Sequence, residues 1–282
     1  MNLKFWKKAT VQPGKGYALC IGLNAVDPAH YDGWSGRLNA CEADAEDMRD
    51  LLKSKGFATD ILLTKQAVSS VVLRWLLDMS KTAKPGDIVV VTSSSHGGQV
   101  PDQDGNDNGY DETICMYDRQ IIDDELELAW SRFAAGVRLF FVSDSCHSGT
   151  MARVMHSAGT DRPLASSSRA MPNDLVSSVW FRNQGVYALA KASARSRSKI
   201  KASLLAFGAC QDNQTAEDGT NNGAFTGALR KVLASYPSES PGKVIARVRR
   251  MLPASQSPTY VYGGHRDPVF EASPVFAISQ VP

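Results

Sequence analysis

One apolar run that ends in a cluster of small polar residues constrains the fold most. Residues 139–142 (LFFV) are continuously apolar, with Gly136 before the run and Gly149 after it. A strand covered on both faces loses the alternation of polar and apolar residues, so this run predicts a buried central strand of a parallel sheet. It ends in Ser143-Asp-Ser-Cys-His-Ser148, and ligands bind at the carboxyl edge of such sheets. A thiol at that edge, Cys146, is a candidate nucleophile.

Strands and helices alternate along most of the chain. Further buried strands are predicted at residues 17–23, 57–63, 88–91 and 204–208, a short hairpin strand at 113–117, and a last strand or two within 257–279. Helices are predicted from Leu38 to the stop at Gly56, from Gln66 to Ser80 behind a Thr64 cap, from Asp123 towards Gly136, and at 224–234 and 242–252. This order implies a doubly wound, mostly parallel α/β sheet with right-handed crossovers.

Two segments do not follow this alternation. Residues 1–15 are predicted to be an N-terminal tail before a single domain at 16–282. Residues 151–200 are rich in Ser, Ala and Arg with little periodicity, and Ala192 to Lys201 is the most linker-like stretch in the chain.

Composition excludes several classes of protein. The formal net charge is +2 with interspersed charges, which argues against nucleic acid or a membrane surface as the main partner. Five cysteines without a CxxC pair argue against a zinc site and a disulfide framework, so a reducing, cytoplasmic location is expected. No apolar stretch is long enough for a membrane span, and no apolar region follows the basic N-terminus as it does in a signal peptide.

Three predicted strands end in polar loops, at Asn24, His96 and Cys146, and parallel strands place these loops on one rim. A nearby imidazole can take the proton of a thiol and return it to the leaving amine. His96 is preferred over His147 as this base, because neighbours in sequence rarely face each other at a strand end. Gly97 leaves its backbone accessible for an oxyanion. Three other cysteines are interpreted as buried residues that pack as small hydrophobes: Cys20, Cys115 and Cys210.

Several motifs in order resemble one family. They are the helix start at 38–45, Ser-Ser-His-Gly at 94–97, Asp-Glu-Thr-Ile at 111–114, Asp-Ser-Cys-His-Ser-Gly-Thr at 144–150, Gly-Ala-Cys-Gln-Asp-Asn-Gln-Thr-Ala at 208–216 and Gly-Ala-Phe-Thr at 223–226. Over residues 16–279 the chain resembles the metacaspases, which are caspase-fold cysteine peptidases. The resemblance implies a caspase-like three-layer sandwich, with a central, mostly parallel sheet of about six strands and helices on both faces.

The resemblance also implies site residues and a specificity. It assigns Cys146 as nucleophile and His96 as general base of a dyad, with cleavage of proteins or peptides after Arg or Lys through an acyl-enzyme. The matching positions of its substrate pocket are Cys41, Asp44, Ser94 and Asp144. Two carboxylates at the rim can pair with a guanidinium or an ammonium, whereas a pocket for aspartate needs arginines.

Calcium is a further implication of the resemblance. The matching acidic positions are Asp111, Asp123 and Asp124, but a fourth acid of the family falls on Arg153, where the chain departs from the pattern. The loop at 104–109 is rich in oxygen ligands and resembles the start of an EF-hand without its closing Glu; a solvated acidic turn explains it equally well. A second departure is Ser95, where the family usually has Gly.

Other readings stay open at this point. The chain can be an inactive caspase-fold binding module, or a peptidase of the same fold with a different residue preference before the cut. The presence of both Cys146 and His96 favours an enzyme. The resemblance favours a monomer, and the basic residues within 191–201 predict self-processing there.

Overall fold

A six-stranded sheet forms the centre of the protein. The computed structural model describes residues 14–101, 110–145, 169–195, 198–210 and 222–279. The sheet has the order β2-β1-β3-β7-β8-β9, and every neighbouring pair is parallel except β8 with β9. This confirms the predicted α/β sheet. Its strands are β1 (Gly16–Gly22), β2 (Ala58–Leu63), β3 (Ile88–Ser94), β7 (Arg138–Asp144), β8 (Ser203–Gly208) and β9 (Thr259–Gly264).

Helices cover both faces of this sheet. Alternate residues of one strand enter different cores: Phe140 packs with the core under α1, α6, α7 and α8, whereas Phe141 packs with the core under α2 and α3. Both faces of the central strands β3, β7 and β8 are buried, which is why these strands contain continuous apolar runs. The helices are α1 (Cys41–Ser54), α2 (Ser69–Thr82), α3 (Asp123–Ser131), α4 (Asn173–Arg182), α5 (Gln184–Ala194), α6 (Ala224–Ser235), α7 (Pro241–Arg249) and α8 (Pro268–Ala272).

A small antiparallel sheet lies beside the main one. It contains β4 (Gly97–Pro101), β5 (Tyr110–Cys115) and β6 (Gln120–Ile122), in that order. Helices α4 and α5 cover it with a core of their own. The prediction of little regular structure over 151–200 is therefore wrong for the described residues 173–194. Their buried positions are partly alanines, such as Ala190 and Ala194, which give a weak apolar signal.

The start of α2 differs from the prediction. The helix begins at Ser69, and its cap comes from Asp118, whose carboxylate accepts from the Ser69 backbone N–H at 2.7 Å and from its hydroxyl at 2.8 Å. Thr64 instead lies in a 3₁₀ turn (Thr64–Gln66), and its hydroxyl donates to Glu42. Asp118 and Ser69 are 49 positions apart in the sequence, so no local sequence pattern predicts this cap.

The predicted linker at 192–201 includes helical and buried residues among those described. Its first three residues complete α5, and both Ala194 and Ile200 are buried. The predicted N-terminal tail lies outside the described residues apart from 14 and 15. Among the described residues, no helix is long and apolar enough to cross a membrane.

Candidate active site

The carboxyl ends of β1, β3 and β7 form one rim. The strands are in register, so Gly22, Ser94 and Asp144 lie side by side. Cys146 itself lies outside the described residues, as do His147 and Arg153. Ser145 is the last described residue before Cys146, and its carbonyl oxygen accepts from the Cys210 thiol at 3.5 Å.

His96 is held from the loop that follows β1. Its imidazole is buried, its Nε2 lies 3.0 Å from the Gly36 carbonyl oxygen, and its ring lies 4.6 Å from that of Trp34. A carbonyl only accepts hydrogen bonds, so Nε2 carries the proton and Nδ1 is the basic nitrogen of the neutral ring. Gly36 has φ +51°, and a Cβ there would lie 3.0 Å from the imidazole, so both the backbone and the contact require glycine.

Gly97 begins β4 directly after His96. Its backbone N–H donates to the Arg169 carbonyl oxygen at 2.9 Å, and its own carbonyl accepts from the Met171 N–H at 2.8 Å. Residues 169–171 thus pair with Gly97 in a short parallel bridge centred on Ala170. The accessible backbone at Gly97 was predicted from the sequence, but this partner was not.

The predicted substrate pocket gathers around an arginine of the same chain. Arg169 is fully buried, and its guanidinium lies 2.8 Å from Asp44 Oδ2, 3.1 Å from Asp144 Oδ1 and 2.7 Å from Ser94 Oγ. The fourth predicted residue, Cys41, is buried at the start of α1, three positions before Asp44. The structure therefore brings Asp44, Ser94 and Asp144 together around one cation.

The start of α6 fixes both carboxylates. The Gly223 N–H donates to Asp44 at 3.0 and 3.2 Å, while the Thr226 N–H and hydroxyl donate to Asp144 Oδ2 at 3.0 and 2.6 Å. The partial positive charge at the N-terminus of a helix stabilises an anion there. The Gly-Ala-Phe-Thr motif at 223–226 is visible in the sequence, but its contacts with the two carboxylates were not predicted. Arg169 was not predicted at all, because nothing in the sequence distinguishes it from the other arginines of a segment with little periodicity.

The pocket has the electrostatics of a cation site. Burial, and next the neighbouring Asp144, raise the pKa of Asp44, while Arg169 opposes this shift. Burial also disfavours the charged guanidinium of Arg169, but the Asp144 and Asp44 carboxylates outweigh it and raise the pKa of Arg169 well above its usual value. Two buried carboxylates without a cation are costly, so the pocket favours a guanidinium or ammonium.

Two other thiols are poor nucleophiles. Burial raises the pKa of Cys20 and of Cys115 to about 12, so both remain protonated at neutral pH. Cys210 is also buried. These positions agree with the prediction that the three cysteines pack as small hydrophobes.

The predicted calcium ligands do not form a site among the described residues. There, no three His, Cys, Asp or Glu side chains are grouped to hold a metal. Asp111 is buried and forms an ion pair with Lys191, whose ammonium also donates to the Pro101 carbonyl at 3.3 Å. Asp123 accepts from the backbone N–H of Asp124 at 2.8 Å. The described residues therefore do not fit calcium by themselves.

Known proteins resemble the chain over most of its length. Metacaspase-1 of Coccidioides immitis is 30% identical over 86% of this chain, and Metacaspase-1 of Cryptococcus neoformans is 29% identical over 84%. The chain spans only 60% and 59% of the length of these two relatives.

Solved structures resemble the fold. Protein GSU0716 of Geobacter sulfurreducens superposes with a TM-score of 0.82 at 38% identity, covering 94% of this chain and 99% of that one. Caspase-1 of Spodoptera frugiperda superposes with a TM-score of 0.54 at 13% identity, covering 88% and 86%, which shows a shared fold. The caspase domain profile matches residues 15–276. The chain therefore belongs to the caspase domain family, as its metacaspase-like motifs predict.

Proposed function

We propose that this chain is a cysteine endopeptidase of metacaspase type, which cleaves proteins or peptides after Arg or Lys. The observation that carries the proposal is the buried pocket in which Asp44 and Asp144 surround a guanidinium. Ser94 and Asp144 lie side by side at the ends of their strands, His96 and Gly97 follow the first of these strands in sequence, and Cys146 follows the second. The relatives named metacaspase support the same assignment.

His96 acts as the general base in this proposal. With Nε2 held by Gly36, Nδ1 takes the proton of the Cys146 thiol, and the thiolate attacks the carbonyl carbon of the substrate. The Gly97 N–H donates to the oxygen of the tetrahedral intermediate. The leaving amine then takes the proton from His96, and water hydrolyses the thioester, which restores the thiol.

The preference for Arg or Lys before the scissile bond follows from the two carboxylates of the pocket. A guanidinium can pair with both carboxylates and with Ser94 at once, as the Arg169 side chain does. An aspartate side chain would add a third carboxylate to two buried ones, which is strongly unfavourable. Peptides with Asp before the scissile bond are therefore excluded.

Matched peptides test this function. Fluorogenic peptides that differ only in arginine or citrulline before the cut have the same shape, but citrulline is neutral. We expect wild type to prefer arginine by about 100-fold or more in kcat/KM, because a buried charge pair is worth about 3–5 kcal/mol when one partner is removed. Cys146→Ala should cleave neither peptide. Equal cleavage of the two peptides, or cleavage of an aspartyl peptide, contradicts the proposal.

Asp44 has a matched control on its own helix. Asp47 lies one turn later, is half-buried, and pairs with Arg230 at 2.5 Å and with Asn222 at 2.8 Å. Asp44→Asn should abolish most of the preference for arginine over citrulline, whereas Asp47→Asn should retain it. Loss of the preference in both variants would indicate damage to α1 rather than to the pocket.

A further inference from the structure

The loop that holds His96 is itself attached to helix α5 by a histidine. His30 belongs to the same loop as Gly36, and its Nε2 atom lies 2.9 Å from the Tyr187 hydroxyl. Tyr187 is a buried residue of α5, and the Gln120 side-chain amide donates to its hydroxyl at 3.1 Å. Because that hydroxyl already accepts from Gln120, its own proton is donated to the Nε2 of His30.

The protonation states of the two side chains agree with this direction of donation. Burial lowers the pKa of His30, against the opposing charge of Asp118, so its ring is neutral at neutral pH and Nε2 can accept. Burial raises the pKa of Tyr187, so its hydroxyl keeps the proton that it donates.

A row of aromatic rings connects this hydrogen bond to the proposed base. The ring centroids of Tyr187 and His30 lie 5.9 Å apart, and those of His30 and Tyr31 lie 5.0 Å apart. Tyr31 and Trp34 follow at 6.0 Å, and Trp34 and His96 at 4.6 Å. Each ring contacts the next, so the row is continuous from α5 to the imidazole of His96.

The backbone of this loop depends on support from outside it. Asp32 and Gly36 both lie in the left-handed region, with φ +55° and +51°. Asp32 is not a glycine, so surrounding contacts must offset the cost of its conformation. Arg182, the last residue of α4, lies 3.0 Å from the Asp32 carboxylate. Asn183 follows it, and its amide donates to the His30 carbonyl oxygen at 3.2 Å.

We propose that Tyr187 and His30 are positioning residues for His96, so that helix α5 controls the alignment of the base. This inference rests on the proposed function, in which His96 takes the proton of the Cys146 thiol. Without the bond from Tyr187, the loop and its rings gain freedom, and the Gly36 carbonyl holds Nε2 in a wider range of positions. Misalignment of the base lowers kcat, whereas the pocket carboxylates keep their contacts and KM changes little.

Removal of one hydroxyl tests the inference. Tyr187→Phe keeps the ring but loses the donor, and we expect kcat for arginine peptides to fall by about tenfold, with KM and the ratio of arginine to citrulline cleavage unchanged. His30→Gln keeps an acceptor near the position of Nε2 and should retain most of the wild-type kcat. His30→Leu has no acceptor and should match Tyr187→Phe.

Trp75→Phe is the matched control for loss of a donor from an aromatic side chain. The Trp75 indole donates to the Asp60 carboxylate at 2.7 Å, between α2 and β2. This variant should leave kcat unchanged, and thermal unfolding of both phenylalanine variants measures any loss of stability. If Tyr187→Phe does not fold, the comparison of His30→Gln with His30→Leu decides, and equal kcat in those two variants overturns the inference.

The effect of Tyr187 should require the base. In the His96→Ala background, Tyr187→Phe should cause no further loss of the residual kcat, because there is then no imidazole to position. A merely structural role would give the same loss in both backgrounds. An equal loss with and without His96 therefore overturns the inference, and so does unchanged kcat in a folded Tyr187→Phe variant.

The imidazole also gives a readout that does not depend on cleavage. In protein with ¹⁵N-labelled histidines, the His96 ring signals are identified by their absence from His96→Ala. They should move in Tyr187→Phe and stay in place in Trp75→Phe. Wild type that cleaves arginine peptides, with His96 signals unmoved in Tyr187→Phe, overturns the inference alone. Wild type that cleaves no arginine peptide overturns the proposed function, and with it the catalytic role of this contact, even where the signals move.

Discussion

The Nε2 atom of His96 lies 3.0 Å from the carbonyl oxygen of Gly36, which reaches it from a loop sixty positions earlier in the chain. A carbonyl oxygen only accepts, so this contact selects the ring tautomer with the proton on Nε2. The Trp34 ring, at 4.6 Å, supports the imidazole from the same loop. The orientation of the proposed base therefore depends on the fold of residues 24–37.

His96→Ala should reduce kcat for arginine peptides by about 10²–10⁴-fold, the usual worth of acid–base assistance. Trp34→Ala should give a smaller reduction in kcat with an unchanged ratio of arginine to citrulline cleavage, because it loosens the base and leaves the pocket intact. Steady-state kinetics of both variants at saturating substrate measure this. Equal activity of wild type and His96→Ala would exclude His96 as the base.

Gly223→Ala should change the choice between arginine and lysine. The added methyl would lie 2.6–2.7 Å from the guanidinium position, while the smaller lysine ammonium leaves more room. We expect kcat/KM for arginine peptides to fall by about tenfold or more, since packing this tight typically costs about 1–3 kcal/mol, with a smaller fall for lysine peptides. Gly227→Ala is the control, because its Cβ meets its nearest atom at an ordinary 3.6 Å. An unchanged ratio in Gly223→Ala would contradict the pocket geometry.

The preference for arginine should weaken in acid. The pKa of Asp44 is raised by burial and by Asp144, and a cation binds the ionised carboxylate. The preference for arginine over citrulline is thus fully present above the pKa of the carboxyl group in the pocket without a bound cation, and it is lost as the pH falls through that pKa. The measurement is the ratio of kcat/KM for the arginine and citrulline peptides across pH. Titration of the proposed dyad affects both peptides equally, so it cancels in this ratio. In Asp44→Asn the ratio should be lower and flatter.

Calcium binding through Asp111 stays a prediction, and Lys191 gives a way to test it. The Lys191 ammonium pairs with Asp111, so any metal there must displace it. Lys191→Met should therefore bind calcium more tightly than the parent protein in calorimetry, with both carrying Cys146→Ala to prevent cleavage. Lys199→Met, at an exposed position, is the control. Equal calcium heats in all three proteins would show that Asp111 is not a ligand.

The sequence predicted the sheet and the rim because both leave local signals. The run at 139–142 is continuously apolar, and His96 follows the end of a buried strand. Asp44 and Asp144 were predicted as pocket residues through the family motifs that contain them. The position of Arg169 among the pocket residues was not predicted. It depends on contacts with Asp44, Ser94 and Gly97, which the fold brings together from distant parts of the chain. The cap of α2 by Asp118 was missed for the same reason.

Covalent capture tests the central claim most directly. A peptidyl-arginine chloromethylketone carries both the recognition element for the pocket and an electrophile for the nucleophile. Incubation with wild type, followed by peptide mapping, should place a single adduct on Cys146, and the aspartyl analogue should leave the protein unlabelled. Labelling of another cysteine, or equal labelling by the aspartyl reagent, would contradict an arginine-directed Cys146 peptidase.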